Sequence, residues 1–232
     1  MCRAAGACLI LLTLSVPARP LRAQQVAYAA SLGADLDSAT QAAVAREIAR
    51  ARERGLPVEP LVAKVREGSL KRAPGSRIRT AVEKLAERLN AARAALGAES
   101  STDELVAGAD AIAAGADAWS LRALRAASTR PIAAPIGTLA QLLASGIDQR
   151  KAVEMVIALL RRNATPAQVI ALGNLVESDV ASGLRPDESA AFRLRGIEGS
   201  LGFGDQVNAA AATPLSGNSV PPTRPPSAKR RP

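Results

Sequence analysis

The stretch RERGLPVEPLVAKVREG at residues 52–68 contains a helix that stops and another that starts within three residues. Gly55 supplies a left-handed cap at little steric cost, and Pro57 cannot continue a helix but has a fixed φ suited to a new one. The same joint recurs at GADAWSLRAL, GIDQRKAVEM and GLRPDESAAF, beginning at Gly115, Gly146 and Gly183. A chain interrupted this often has room only for short helices. Each must bury one apolar face against its neighbours, so the expectation is paired antiparallel helices stacked side by side. The intervals between these joints are uneven, which leaves a short α-solenoid and an irregular bundle both open.

Periodicity and capping residues divide the chain into about nine helices, with no segment that reads as a strand. Asp37 and Ser38 open the first, which runs to about Arg54. VEPLVAKVRE forms the second, closed by Gly68. Ser76 caps a third, in which Ile78, Val82, Leu85, Leu89, Ala92 and Leu96 form an a/d stripe. That stripe serves either packing within the domain or self-association. Ser101-x-x-Glu104 is a capping-box pattern, and Asp117 caps the helix that follows. TRPIAAPIG reads as a loop because residues before proline disfavour the helical region, so the next helix begins near Thr138. Asp148 caps a helix that is apolar nearly all round from Ala152 to Leu160 and is expected to be the central element. Thr165 and Pro166 open the next helix, and Asp187 the last. The resulting division is a leader at 1–23, an all-α domain at 24–200 and a disordered Gly/Pro-rich basic tail at 201–232, too poor in apolar residues to offset the entropy of ordering.

The leader reads as a secretory signal peptide, with Arg3, the apolar run ACLILLTLSV and a small residue before Gln24. The run is shorter than the ~20 residues of a membrane-spanning helix. Both cysteines, Cys2 and Cys8, lie in it, so a processed chain has no thiol chemistry. The chain is expected to be exported, periplasmic or extracellular, and its Ala/Arg-rich composition suggests a bacterial source.

Charge is distributed unevenly. The formal charge is +9, but without the three leader arginines it is +6, and without the four cations of the tail from Thr213 the body carries +2. Between Arg46 and Arg93 thirteen basic residues face six acidic ones. Such a surface suits anionic envelope partners or is simply a solvated helix face. Aromatics are only 2% of the residues, so bases have little to stack on and nucleic acid is disfavoured as a partner.

No histidine occurs, which removes the commonest general base and metal ligand. Asp103/Glu104, Glu177/Asp179 and Asp187/Glu188 are the carboxylate pairs available, each also explained as a helix start or a solvated face. Gly196, Gly199, Gly202 and Gly204 resemble a phosphate loop by composition only and read as a linker. Asn163–Thr165 fits a glycosylation sequon but also serves as helix punctuation. No catalytic, cofactor-binding or metal residue is assigned. The expected function is a non-enzymatic helical scaffold that binds a protein or an anionic envelope component. Arg224, Lys229, Arg230 and Arg231 of the tail are the candidate anionic contacts. Trp119 is either a partner anchor or the closure of a helix end against the core. The rivals are a carboxylate-dependent enzyme acting on envelope glycan or peptidoglycan, and a self-associating structural protein.

Overall fold

The computed structural model describes residues 36–201, and these carry nine α-helices and no strand. The proposed leader and tail, with their cations, lie outside the described residues. The helices are α1 (Ser38–Glu53), α2 (Glu59–Leu70), α3 (Gly75–Leu96), α4 (Thr102–Ala113), α5 (Ala118–Ala127), α6 (Ala133–Ala144), α7 (Gln149–Arg161), α8 (Pro166–Ala181) and α9 (Pro186–Ser200). None is long and apolar enough to cross a membrane. The sequence groups residues 24–200 together; by proximity the chain forms two units that divide after Asn90, within α3.

In the first unit, α1 buries Thr40, Val44, Ile48 and Ala51 along one stripe, and α2 buries Leu61, Val62 and Val65. Two glycines let these helices approach α3. A Cβ on Gly68 would lie 2.7 Å from Ile78 Cγ1, and one on Gly75 would collide with the Thr40 hydroxyl. Arg79 donates to that same hydroxyl at 2.8 Å. The a/d stripe of α3, from Ile78 to Leu96, is buried along its whole length. It is consumed by packing within the chain and offers no seam to a second molecule.

In the second unit, α4 packs on α6 and α6 on α8, forming one row. Helix α5 packs on α7, and Lys151–Asp187 and Arg162–Glu198 tie the two ends of α7 to α9, forming the other row. The hairpins α4/α5, α6/α7 and α8/α9 therefore stack in register, starting at residues 102, 133 and 166. For this unit the open choice resolves to a short helical stack. Its centre is α6, which touches α4, α5, α7 and α8 and buries Ile136, Leu139 and Leu142 completely. The expected centre, α7, does bury Ala152, Val153, Val156 and Leu159, but Glu154 is exposed.

The recurrent joint has one geometry at six places. Gly55, Arg72, Gly115, Gly146, Asn163 and Gly183 all have positive φ. In each case the next residue donates its N–H five residues back, at 2.8–3.0 Å, as Ala116 does to Ala111 and Ile147 to Leu142. The left-handed residue itself donates three back, as Gly146 does to Leu143 at 2.9 Å. These paired bonds satisfy carbonyls that would be orphaned at a helix end. At four of the six the following residue also turns inward, Leu56, Ala116, Ile147 and Ala164 being buried, whereas Ala73 is half-buried and Leu184 exposed. The joint thus closes one helix and, at those four places, plugs the gap before the next.

Three boundaries differ from the sequence reading. Helix α2 runs past Gly68 to Leu70, because Arg72 rather than Gly68 takes the left-handed position. Ser76 lies inside α3, whose start follows Pro74; the Pro74 carbonyl accepts from Arg77 and Ile78. Helix α6 begins at Ala133, ahead of Pro135. Proline in the first turn sacrifices no intrahelical bond, because those N–H groups have no partner there in any case.

Candidate functional site

A feature that could receive a ligand is an open groove of about 560 Å³ along the α4–α6–α8 row. Its first wall is α4, whose Asp103, Val106, Ala107 and Asp110 line it at i, i+3, i+4 and i+7 spacing. That spacing puts all four side chains on one helix face, with the two carboxylates about 10 Å apart along the axis. The floor is α6. Gly137 contributes no side chain, and a Cβ there would meet nothing within 4 Å, so the backbone lies open to the groove. The far wall is Gln141 and Ile170; Gln141 is held by a 3.1 Å bond to Asn174, and Ile170 is 42% exposed. The groove is thus apolar and small-residue-lined at its base, with negative charge along one rim.

The helices that shape it are fixed by two buried charge networks. Glu104 closes its capping box with Ser101, accepting the Ser101 N–H at 3.0 Å. The same carboxylate accepts from Arg125 on α5 at 2.8 Å and from the Ile132 N–H at 2.9 Å, just before α6. Burial pushes the Glu104 carboxyl upward, but the Ile132, Arg125 and Ser101 donors outweigh it and hold it below the ordinary range. On α8, Asp179 takes a two-pronged contact from Arg193 of α9, at 2.7 and 2.8 Å, and a 2.6 Å bond from the Ser189 hydroxyl. Arg193 chiefly, with Ser189 helping, holds the Asp179 carboxyl low against the opposing effect of burial.

The carboxylate pairs singled out in the sequence therefore separate. Asp103 faces the groove while Glu104 is buried in the clamp. Glu177 is exposed while Asp179 binds Arg193. Asp187 pairs with Lys151 and Glu188 with Arg185. Asp110, missed in the sequence, joins Asp103 because the two are seven apart on a helix. That relation is readable from helical spacing, whereas residues adjacent in sequence point to different sides of a helix. Arg125 and Arg193 carry no local signal at all; their partners lie on other helices.

Trp119, at the start of α5, is 47% exposed, so its ring is not part of the closed core. Gly196 and Gly199 belong to α9 rather than to a linker, and Gly202 and Gly204 lie outside the described residues. Asn163 ends α7 in the left-handed conformation and its side chain accepts from Arg130 at 3.1 Å, and Thr165 caps α8. No group of three or more acidic, cysteine or histidine side chains among the described residues could hold a metal ion. No family model matches the chain, and neither a curated protein nor a solved structure matches it.

Proposed function

We propose that this chain is an exported, non-enzymatic helical scaffold. Its α4–α6–α8 groove receives a protein segment that carries basic side chains, and its basic tail contacts anionic components of the envelope. The groove carries the reading. Its base of small residues lets another backbone approach closely, and Asp103 and Asp110 favour cations along one rim. The tail contacts are Arg224, Lys229, Arg230 and Arg231, each adding roughly 1 kcal/mol of attraction at an anionic surface. The glycan-cleaving alternative needs one carboxyl held protonated by its surroundings. The two buried carboxylates are instead drawn into arginine clamps that favour the charged form.

The test is a photo-cross-linking residue placed at Gly137 and, as a comparison, at exposed Ala63 on α2. The Gly137 position is expected to give discrete adducts whose linked peptides hold at least two lysines or arginines. Adducts identical to those from Ala63, or none, would remove the groove from consideration. Export is tested separately, by fusing residues 1–23 to a reporter active only outside the cytoplasm. Retention on anionic vesicles with and without residues 213–232 tests the tail.

A further inference from the structure

We infer that the occupant of the groove is a second copy of this chain, presenting one face of its α3. The inference rests on reading the groove as a docking site and names the partner. On α3, Arg77, Thr80, Ala81 and Lys84 line a shallow depression of about 410 Å³. They too follow i, i+3, i+4 and i+7 spacing, so they share one helix face, turned roughly 100° from the buried stripe. The groove wall reads Asp, Val, Ala, Asp in the same four positions. Each face has two like charges seven residues apart with small or apolar side chains between, and the signs are opposite. Because both intervals are seven residues, both ion pairs form together whichever way the helices run. Small residues between the charges permit the close axial approach that helix packing needs.

The four charges are also available. Arg77, Lys84, Asp103 and Asp110 are exposed, and none of them forms an ion pair among the described residues. This distinguishes them from Lys64, Lys71 and Glu67, which already satisfy one another. The contact joins two different surfaces of the same chain, so it is heterologous. Repetition of it gives a ring if the rotation closes and a filament if it does not. The self-association suggested by the α3 stripe is therefore moved to a neighbouring face of the same helix, because the stripe itself is buried.

Sedimentation velocity of the full chain over a wide concentration range is the experiment. Mass rising with concentration is expected, with weakening at high salt because the pairs are exposed. Gly137→Leu fills the groove at a helical position where a side chain meets no obstacle. It is expected to keep or raise the melting temperature, since Leu favours helix over Gly, while weakening association about tenfold or more. The face variant Arg77→Glu/Lys84→Glu and the groove variant Asp103→Asn/Asp110→Lys are each expected to lose self-association, and an equimolar mixture of the two to regain it. A wild-type chain that stays single at every concentration overturns the inference. So does association indifferent to Gly137→Leu, or a mixture that fails to recover. If the Gly137 cross-linker captures a different protein while the chain stays single, self-docking is wrong and the groove reading stands. If it captures nothing, both fail.

Discussion

The two units use the same joint and the same aliphatic core but hold their helices together by different means. In the first, the ion pairs are local, each with at least one partner open to solvent: Arg50 with Glu47, and Glu67 with Lys64 and Lys71, three or four residues apart on one helix or at its end. The lysines beside Glu67 lower its carboxyl to about 2, yet that side chain is 43% exposed and open to screening by solvent. Between helices, this unit packs aliphatic stripes with glycine-mediated approach, and Arg79 of α3 donates to Thr40 of α1. In the second, charged side chains reach across helices, and two of the carboxylates are buried. Exposed pairs are screened and worth little, whereas a buried pair, once its partners are fixed, resists being taken apart. A shared local grammar therefore does not determine how robustly its products are assembled.

The sharpest way to break this contrast is Arg193→Leu. It leaves the Asp179 carboxylate buried with only the Ser189 hydroxyl as partner, a loss expected to cost about 3–5 kcal/mol. Asp179→Leu/Arg193→Leu together should cost much less, because no unpaired charge remains. Urea denaturation of the three chains measures this. A single-variant loss no larger than that from Lys71→Ala in the first unit would erase the distinction.

Acid provides the next largest effect. The folded Glu104 and Asp179 carboxyls sit below their unfolded values of roughly 4.3 and 3.9. Around those values the unfolded chain binds more protons, so stability rises with pH there. The contribution is complete above about pH 5 and is lost as pH falls through the folded values. Glu67 follows the same direction, but added salt should abolish its part and leave the buried part largely intact. Melting curves at pH 7 and near pH 3, each with and without salt, separate the two. Acid sensitivity that salt removes entirely would place the stabilising charge on the surface of both units.

This contrast also shows how far the sequence could be read. Helix starts at Asp37, Ser101, Asp117, Asp148 and Thr165 were legible because capping is a local hydrogen bond; each side chain accepts from a backbone N–H three residues ahead. The stripe from Ile78 to Leu96 was legible as periodicity, but whether another chain or this one covers it was not. The in-register stack depends on helices two apart in the chain, a relation that uneven joint spacing concealed. The groove was half legible. Asp103 and Asp110 follow from helical spacing, but Gly137 and Ile170 join them only through packing of α4, α6 and α8. The left-handed position of Arg72 was not legible, because arginine is uncommon in that conformation and nothing nearby announces it.

Gly75→Ala sharpens the comparison from the side of the first unit. The added methyl would collide with the Thr40 hydroxyl and lie 2.7 Å from the Asp37 carboxylate. It also presses on the cap that Asp37 forms with the Thr40 N–H at 2.8 Å. Overpacking of this kind costs about 1–3 kcal/mol. Hydrogen exchange should rise most in α1 and the start of α3. The gain that alanine brings to a helix interior is below about 1 kcal/mol and does not offset the clash. A variant as stable as the parent would mean that α1 and α3 separate readily at their N-termini.

The smallest effect compares the two joints that lack glycine. Arg72 and Asn163 have φ of 51° and 58°, both in the left-handed region. Arginine there carries a steric cost of about 1–2 kcal/mol, which glycine relieves while losing more chain entropy on folding. Arg72→Gly should therefore stabilise the first unit by about 0.5 kcal/mol. Asparagine tolerates this conformation better, and its side chain accepts from Arg130 at 3.1 Å. Asn163→Gly surrenders that bond and should leave stability nearly unchanged. Paired denaturation curves resolve the difference. If both substitutions stabilise equally, the Arg130 contact contributes nothing, and bonding between the surface connections of the second unit is no more effective than the local pairs of the first.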